Sequence, residues 1–449
     1  MKKVIIVGCG LAGLSAAKKL AKYIDIELTI IDKNNYHFFP PLLYQVATGE
    51  LSPDSIATPI RSIMAKYESV SVINDKVFDV DFKNRLVITE TNKYNYDYLI
   101  LSCGVIHSYF GNTQWEDFAP GLKSIEQALE IKNRIFSSLE EAEKTEDIEK
   151  QKNLLSFVVV GGGPAGVEVA GAVADITHKI LKKNFRNIDL SSTKITLIEA
   201  SPKILASFSD KNSAKATKFL DKIGVSVMTS TRVVDVDKSG VTFGDGKKIK
   251  AETVIWGAGI QGRLLNNKLN VELDRPGRIV VEQDLSLKEY PEVFVAGDQA
   301  HAENKTGSFI KDLIKRCIPG ENTQLDKDAK GVPYPGVGTV ALQQGSCAAK
   351  NILRILEGRE TQSFIYLNRG KAAAIGKGKA ILEISRFKTA GFTAWLVWLA
   401  IHVLFLASFQ NRISVLMQWG YFYLFRRADA RMLIKQEWKS FNKIKKILK

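Results

Sequence analysis

The sequence predicts an α/β fold with two Rossmann-like domains and a C-terminal helical module, and three observations lead to this prediction. Two glycine-rich turns, GCGLAG at residues 8–13 and GGGPAG at residues 161–166, each follow an apolar strand and open an alanine-rich helical stretch. Each turn has an acidic residue downstream, at the end of a second strand. After residue 390 the sequence turns strongly apolar and then strongly basic. Two such turns in one chain indicate two dinucleotides, and therefore hydride transfer between them.

Composition places the chain among multidomain globular proteins. With 449 residues, 45% of them hydrophobic, it can form a large core. No two cysteines are close in sequence, so we predict neither a zinc site nor a local redox disulfide, and no bound metal. The N-terminus fits strand, turn and helix better than a signal peptide, because its glycines are in register. The four cysteines are Cys9, Cys103, Cys317 and Cys347.

The first glycine turn is predicted to bind a dinucleotide. Gly8 forms the tight turn, Gly10 lets the backbone approach a pyrophosphate, and Gly13 lets the helix pack against the strand. The next strand, residues 26–31, ends in Asp32, 19 residues after Gly13. That spacing is close to the roughly 20 residues expected for an acid that binds a ribose hydroxyl. An ordinary strand–helix–strand unit with a solvated acid is the alternative.

A late strand, residues 292–296, completes this site. It ends in Gly297-Asp298, where a glycine allows close backbone approach and an aspartate can bind a polyol hydroxyl. Together with the two glycine turns, the segment VFVAGD resembles the two-dinucleotide-binding flavoprotein family. The resemblance implies that the first site binds FAD. The residues assigned to FAD are Gly8, Gly10, Gly13, Asp32, Lys33, Gly104, Asp298 and Gln343.

The second glycine turn is predicted to bind NADH. Its strand, residues 194–198, ends in Glu199, 33 residues after the last glycine, because a Lys- and Asn-rich segment lengthens the connection. Glu199 can accept hydrogen bonds from a ribose 2′-hydroxyl. No arginine follows at once to meet a 2′-phosphate, so NADH is favoured over NADPH. The glycines assigned to NADH are Gly161, Gly163, Gly166 and Gly259, the last in the GAG segment after strand 253–256.

Glu168 has two interpretations. It lies two residues beyond Gly166 and is expected in the first turn of the helix. An acid at a helix N-terminus is favourable without any further function. The functional interpretation places its carboxylate near the nicotinamide ring.

The apolar segment 391–409 holds 19 residues without Lys, Arg, Asp or Glu. As one helix it is about 28 Å long, barely the roughly 30 Å of a bilayer core. His402 lies mid-segment, and Trp395 and Trp398 lie inside rather than at an edge, so a buried helix pair is equally compatible. A shorter apolar run follows from residue 413 to residue 425.

The C-terminal tail predicts contact with an anionic membrane. Residues 426–449 hold nine basic and two acidic side chains. Over residues 433–448 apolar residues recur every three or four positions, which indicates a basic amphipathic helix on a membrane surface. A groove in a partner protein or dimer is the alternative. Nucleic acid fits worse, because the apolar stripe has no use there.

Three segments resemble type II NADH dehydrogenases: the C-terminal segment, residues 36–63 and residues 255–260. This resemblance implies a monotopic, non-pumping NADH:quinone oxidoreductase on the cytoplasmic face of the membrane, with a membrane quinone as acceptor and a possible homodimer. It also implies that Glu168 lies close to nicotinamide and flavin. Gln343 is our candidate for a polar group near the quinone oxygens.

Two departures from the family stand out. Gly338-Thr339 replaces the usual Ala-Gln at the flavin and quinone site, while Gln343 is kept. Residues 301–332 form a longer, lysine-rich connection that we expect to be a surface loop. Sulfide:quinone oxidoreductase, which needs cysteines such as Cys317 and Cys347 at the flavin, and a flavin reductase with a soluble acceptor are alternatives. A membrane-bound flavin sensor or scaffold is the alternative from another class.

The predicted domain organisation follows from these sites. An FAD domain is built from residues 1–120 and 275–345, with an NADH domain inserted at 121–274. A C-terminal membrane module covers residues 346–449.

Overall fold

The computed structural model describes residues 1–182, 184–303, 331–384, 387–425 and 432–433. It confirms the predicted α/β fold, with two parallel sheets and a helical C-terminal unit. Most of the predicted insertion and nearly all of the basic tail lie outside the described residues.

The first sheet is built of five parallel strands. Side chains alternate across it: Val4 and Ile6 pack toward the helix Leu11–Leu20, and Ile5 and Val7 pack toward the opposite face. Both faces are therefore buried, as continuous apolar runs in a parallel sheet require. In spatial order its strands are Val293–Val295, Tyr98–Leu101, Lys2–Val7, Ile26–Asp32 and Val70–Asn74.

The second sheet repeats the design with four parallel strands. A three-stranded antiparallel sheet accompanies each parallel sheet, so the two units share one plan. The parallel strands are, in order, Val225–Met228, Lys194–Ile198, Ser156–Val160 and Thr253–Trp256. The antiparallel ones are Val77–Asp81, Leu86–Thr89 and Lys93–Asn95 in the first unit, and Val233–Asp237, Gly240–Phe243 and Lys248–Lys250 in the second.

A late helix, Gly338–Leu356, packs along the helix Leu11–Leu20. A Cβ atom on Gly345 would lie 2.0 Å from the Ala12 carbonyl oxygen, so only glycine permits this close packing. The predicted boundary between residues 345 and 346 falls inside this helix. The helix packs on a helix of the first unit, and the division into domains stays a prediction.

The C-terminal unit begins with an antiparallel sheet of the strands Lys371–Ala374, Ala380–Ile384 and Phe387–Gly391. Two helices, Phe392–Phe405 and Phe409–Phe425, follow it and form what we call the C-terminal hairpin. The segment 391–409 is therefore not one helix. A helix pair is present, as the alternative expected, but it is only partly buried, because large side chains of both helices are exposed. Its first helix is about 21 Å long at 1.5 Å per residue. Among the described residues we find no helix with the length and apolar character to cross a membrane.

One large apolar cluster joins these units. Trp395, Trp398 and Trp419 of the hairpin are buried together with residues of the helices Leu43–Ala47 and Pro164–Asp175. The hairpin is thus fixed against both nucleotide-binding units. The remaining α-helices of the described residues are Pro53–Ile56, Ile60–Met64, Ile125–Lys144, Ile148–Leu154 and Asp210–Asp221. Three short strand pairs complete the described fold: Tyr36–Phe38 with Ala57–Pro59, Val105–His107 with Ile260–Gly262, and Ile279–Val280 with Ala300–His301.

Candidate functional site

A cavity of about 1380 Å³ lies at the carboxyl ends of the strands of the first sheet, where parallel sheets bind ligands. The first glycine turn, the start of the helix Pro164–Asp175 and the C-terminal hairpin all contribute to its walls. It therefore connects three segments that the sequence singled out separately. The predicted site residues that line it are Gly8, Gly10, Asp32, Lys33, Gly104, Glu168 and Asp298.

The first glycine turn has the shape of a phosphate cradle. A Cβ atom on Gly13 would lie 1.9 Å from the Gly8 carbonyl oxygen, whereas one on Gly10 would meet no atom within 4 Å. Gly13 thus serves packing, and Gly10 faces open space. The Asp32 carboxylate fixes the turn by accepting a hydrogen bond from the Cys9 amide at 2.5 Å. Burial raises the pKa of Asp32, and its backbone hydrogen bonds oppose that rise.

Asp298 also lines the cavity. Gly297 before it has a φ of +77°, and its amide donates to the Gln344 side-chain oxygen at 2.8 Å. The turn therefore presents Asp298 to the cavity rather than to its own backbone. Lys123 also lines the cavity; burial lowers its pKa, while the Asp298 carboxylate favours its charged form. Lys123 was not predicted as a site residue, because it belongs to no sequence motif.

The second glycine turn repeats the first in detail. The Glu199 carboxylate accepts from the Gly162 amide at 2.6 Å, as Asp32 accepts from Cys9. A Cβ atom on Gly166 would lie 1.9 Å from the carbonyl oxygen of Gly161, and one on Gly163 would meet nothing within 4 Å. The turn is therefore built for close backbone approach. Its glycines do not line the large cavity, although Pro164 and Ala165 of the same turn do. Gly259, which packs beside Ser108 and Phe110, does not line the cavity either.

Glu168 bridges the second unit to the C-terminal unit. It lies in the second turn of the helix that begins at Pro164, not in the first as predicted, so the helix terminus does not explain it. One carboxylate oxygen accepts from the Ala374 amide at 3.2 Å. Burial raises the pKa of Glu168 to about 8, and the Ala374 amide and the nearby Trp398 side chain oppose the rise only in part. At neutral pH the carboxyl group is therefore mostly protonated and can donate a proton.

The hairpin closes the cavity with aromatic and apolar side chains. His402, Ile401 and Phe405 of its first helix line the cavity, and Trp398 stacks on His402 with 4.0 Å between ring centroids. Phe405 is 37% exposed, and the adjacent Leu404, which does not line the cavity, is 66% exposed. The cavity wall is thus adjacent in sequence to exposed apolar side chains of the hairpin. In the sequence, His402 stands out only as a polar residue within an apolar segment.

Gln343, predicted to serve the flavin and quinone, is turned away from the cavity. Its side-chain amide donates to the Leu367 carbonyl at 3.0 Å and accepts from the Leu367 amide at 2.9 Å. Both ends of the amide are used by one backbone residue, and Gln343 does not line the cavity. Thr339 does line it, with its hydroxyl 2.8 Å from the Tyr366 hydroxyl. The structure therefore does not support the predicted role of Gln343.

Asn411 holds the hairpin in place. Its side-chain nitrogen donates to the carbonyl oxygens of Asp54 and Ser55, both at 2.8 Å, and of Ala57 at 3.0 Å. Its oxygen accepts from the Thr58 hydroxyl at 2.5 Å. Asn411 is 6% exposed, so these bonds are shielded from water. No sequence motif pointed to this long-range anchor.

The hairpin exposes a broad apolar surface. The two helices and the strand before them carry large hydrophobic side chains that are between 37% and 75% exposed. Apolar patches of this kind mark contacts with membranes or partners. The residues are Phe387, Phe392, Leu396, Val397, Leu404, Phe405, Phe409, Ile413, Leu416, Met417 and Tyr421.

The cysteines give no support to thiol chemistry. Cys347 lies against Asn351 and does not line the cavity, and Cys317 lies outside the described residues. Cys103 lines the cavity, but burial raises its pKa to about 11, so it stays a thiol at neutral pH. The described residues contain no group of His, Cys, Asp and Glu that could hold a metal ion.

Comparisons with known proteins agree with this architecture. The family model for pyridine nucleotide-disulphide oxidoreductases matches residues 2–321, and the model for the NDH2 C-terminal domain matches residues 368–428. The Type II NADH:quinone oxidoreductase Ndh of Mycobacterium tuberculosis is 36% identical, covering 97% of this chain and 91% of its own. The Type II NADH:quinone oxidoreductase of Staphylococcus aureus is 31% identical over 84% of this chain and 88% of its own.

Solved structures share the fold. The structure of NDH2 from Plasmodium falciparum in complex with NADH has a TM-score of 0.83 at 22% identity, covering 97% of this chain and 100% of that one. The sulfide:quinone oxidoreductase from Aquifex aeolicus has a TM-score of 0.69 at 17% identity, covering 95% of this chain and 96% of that one. At these identities the likeness concerns the fold alone.

Proposed function

The chain belongs to the type II NADH:quinone oxidoreductases, and on this premise we propose how its residues divide the work. The protein is an FAD-dependent, membrane-associated enzyme that oxidises NADH and reduces a membrane quinone without pumping protons. A bound flavin supplies the redox chemistry, accepting a hydride from NADH and passing two electrons to the quinone.

We assign the large cavity to FAD. The residues fit a dinucleotide, because Gly10 leaves space at the first turn and the side chains of Asp32 and Asp298 both line the cavity. Asp32 would bind the ribose and Asp298 the ribityl chain. Gly8 and Gly13 shape the turn. Lys33 and Gly104 line the same cavity.

We assign the second glycine turn to NADH. Gly163 provides the open approach for the pyrophosphate, and Glu199 provides an acceptor for the ribose hydroxyls. Pro164, Ala165 and Glu168, at the start of the same helix, line the FAD cavity. The helix therefore runs from the nucleotide site to the flavin site, and the protonated Glu168 is the group that holds a proton at their junction.

The quinone is expected to enter between the flavin cavity and the hairpin. The apolar side chains of Ile401 and Phe405 line that end of the cavity, and the adjacent Leu404 is exposed. An apolar substrate dissolved in the bilayer can reach such an opening without crossing water. Glu168 and His402 are polar groups at this end.

We infer that the hairpin contacts an anionic membrane surface, on the cytoplasmic face. Arg412 is the only Lys, Arg, Asp or Glu from residue 389 to residue 425. Its guanidinium donates to the Leu406 carbonyl at the turn between the two helices. Burial and the charges of Lys66 and Arg412 lower the pKa of Lys18, which indicates a group of three cations beside the apolar surface. The basic tail would add to this charge, and a homodimer stays a prediction.

One observation carries the proposal: a single cavity touches the first glycine turn, the helix of the second turn and the hairpin. The test is an anaerobic reaction of the purified protein. NADH should bleach the visible flavin absorbance, and a short-chain quinone should restore it. A protein that NADH bleaches but quinone does not reoxidise, while ferricyanide does, would refute the quinone as acceptor. A colourless protein would refute the FAD assignment.

A further inference from the structure

His402 is a polar side chain that two neighbours, Trp398 and Phe39, hold in one orientation at the cavity. Its ring lies flat on Trp398, with 4.0 Å between centroids and 26° between planes. Phe39 approaches it edge-on at 6.0 Å. Stacking on one face and an edge contact leave the ring little freedom to rotate.

The orientation fixes which ring nitrogen carries the proton. Nδ1 lies 2.7 Å from the Trp398 carbonyl oxygen, and a carbonyl only accepts, so Nδ1 carries the hydrogen. Burial lowers the pKa of His402 to about 4, so the imidazole is neutral at neutral pH. Nε2 of a neutral Nδ1–H tautomer has a lone pair and acts only as an acceptor.

Nε2 has no hydrogen-bond partner in the described part of the chain, although Nδ1 has one. The side chain is partly accessible and lines the cavity. Water can serve Nε2 while the ring is accessible. A ligand that displaces this water must supply a donor itself or leave the acceptor unsatisfied.

We propose that His402 Nε2 accepts a hydrogen bond from a hydroxyl group of the reduced quinone and so sets the affinity of the enzyme for its product. This inference rests on the proposed function. A quinone offers only carbonyl acceptors at its oxygens, whereas a hydroquinone offers hydroxyl donors. His402 therefore distinguishes the product from the substrate. The protonated carboxyl group of Glu168 has the opposite preference, because its O–H can donate a hydrogen bond to a carbonyl oxygen of the substrate quinone.

The test uses two variants of the full-length holoenzyme. His402→Phe keeps an aromatic ring and removes the acceptor, and His402→Gln restores an amide oxygen near the position of Nε2. The readout is inhibition of NADH:quinone turnover by an added short-chain benzohydroquinone. In His402→Phe we expect the inhibition constant to rise about fivefold, as for the loss of one hydrogen bond. The KM for quinone should change by less than about twofold, since no bond to the substrate is lost. His402→Gln should restore tight inhibition.

A second measurement needs no variant. In the native enzyme the hydroquinone should inhibit about fivefold more strongly than its dimethyl ether, which has no hydroxyl donor. Equal inhibition by the two compounds, or an unchanged inhibition constant in His402→Phe, would overturn the inference. Failure of the native enzyme to reduce quinone would instead refute the proposed function. Turnover with ferricyanide shows whether each variant retains a working flavin site.

Discussion

The Glu168 carboxylate accepts a hydrogen bond from the backbone amide of Ala374, 206 positions later in the chain. Glu168 belongs to the helix of the second glycine turn, and Ala374 ends the first strand of the C-terminal sheet. The bond therefore ties the nucleotide-binding helix to the unit that carries the hairpin. It also leaves one carboxyl group buried where we propose that the donor and acceptor substrates converge.

Glu168→Gln should alter the pH dependence of quinone reduction. The carboxyl group is protonated below its pKa of about 8 and ionised above it, so proton donation is lost as the pH rises through 8. We expect the native rate to fall on that side and the variant to lack this step. At neutral pH the variant should be roughly 10²-fold slower, because an amide cannot transfer a proton. The check is steady-state turnover with quinone on both sides of pH 8, with ferricyanide turnover as the control for NADH oxidation. Identical pH profiles would contradict a role in proton transfer.

Asn411→Ala should loosen the hairpin. The substitution leaves three buried carbonyl oxygens without their shared donor, at a cost of about 2 kcal/mol. We expect a lower Tm and a larger loss of turnover with quinone than with ferricyanide. Gln410→Ala, at the exposed neighbouring position, is the matched control and should change neither. Equal losses with both acceptors would show that the anchor affects the whole protein rather than the quinone side.

Glu199→Ala should weaken NADH binding. The carboxylate orders the second turn through the amides of Gly162 and Ser201 and is assigned to the ribose. We expect the KM for NADH to rise about tenfold, the loss of one to two hydrogen bonds to a charged acceptor. The FAD content should stay unchanged. Glu27→Ala, an exposed acid of the first sheet, is the control. A KM equal to that of the control would remove Glu199 from the site.

Deletion of residues 427–449 should weaken membrane binding without loss of NADH oxidation. The deletion removes eight of the nine basic residues of the tail and leaves the hairpin intact. Each basic residue near an anionic surface contributes about 1 kcal/mol. In sedimentation with anionic vesicles the truncated protein should move to the supernatant, with its ferricyanide turnover retained. Full recovery in the vesicle pellet would assign the binding to the hairpin alone.

The sequence predicted the two glycine turns and the acidic residues beside them, because short sequence patterns define such turns. A glycine turn between strand and helix, with an acid at the end of the next strand, determines its own geometry, and Asp32 and Glu199 bind the turns accordingly. Strands such as 293–295 could be predicted from the sequence because buried parallel strands are short apolar runs. The residues involved lie within one strand–helix–strand unit or carry a distinctive spacing.

The direction in which each side chain of a helix points was not predictable from the sequence. Gln343 and Gln344 are adjacent, yet Gln344 bonds to Gly297 and Gln343 bonds to Leu367. Successive residues of a helix point about 100° apart, so the packing of the helix decides which partner each side chain meets.

Hydropathy likewise could not locate the hairpin turn. Leu406 and Ala407 continue the apolar run of the first helix, and one serine, Ser408, does not by itself mark a turn. The anchors of the turn at Asn411 lie more than 350 positions away in sequence. Contacts over such separations leave no periodic signal in a single sequence.

The membership of strand Val293–Val295 in the first sheet has a consequence for biosynthesis. Tyr98–Leu101 leaves the ribosome almost 200 residues before the strand that covers its free edge, whereas the strands of the second sheet all fall between residues 156 and 256. The domain that opens the chain must therefore mature after the one inserted into it, the reverse of the usual N-to-C order. Limited proteolysis of ribosome-stalled nascent chains ending near residue 285 should find the inserted unit protected and the first still cleavable. Equal protection of both would show that the first sheet closes without its last strand.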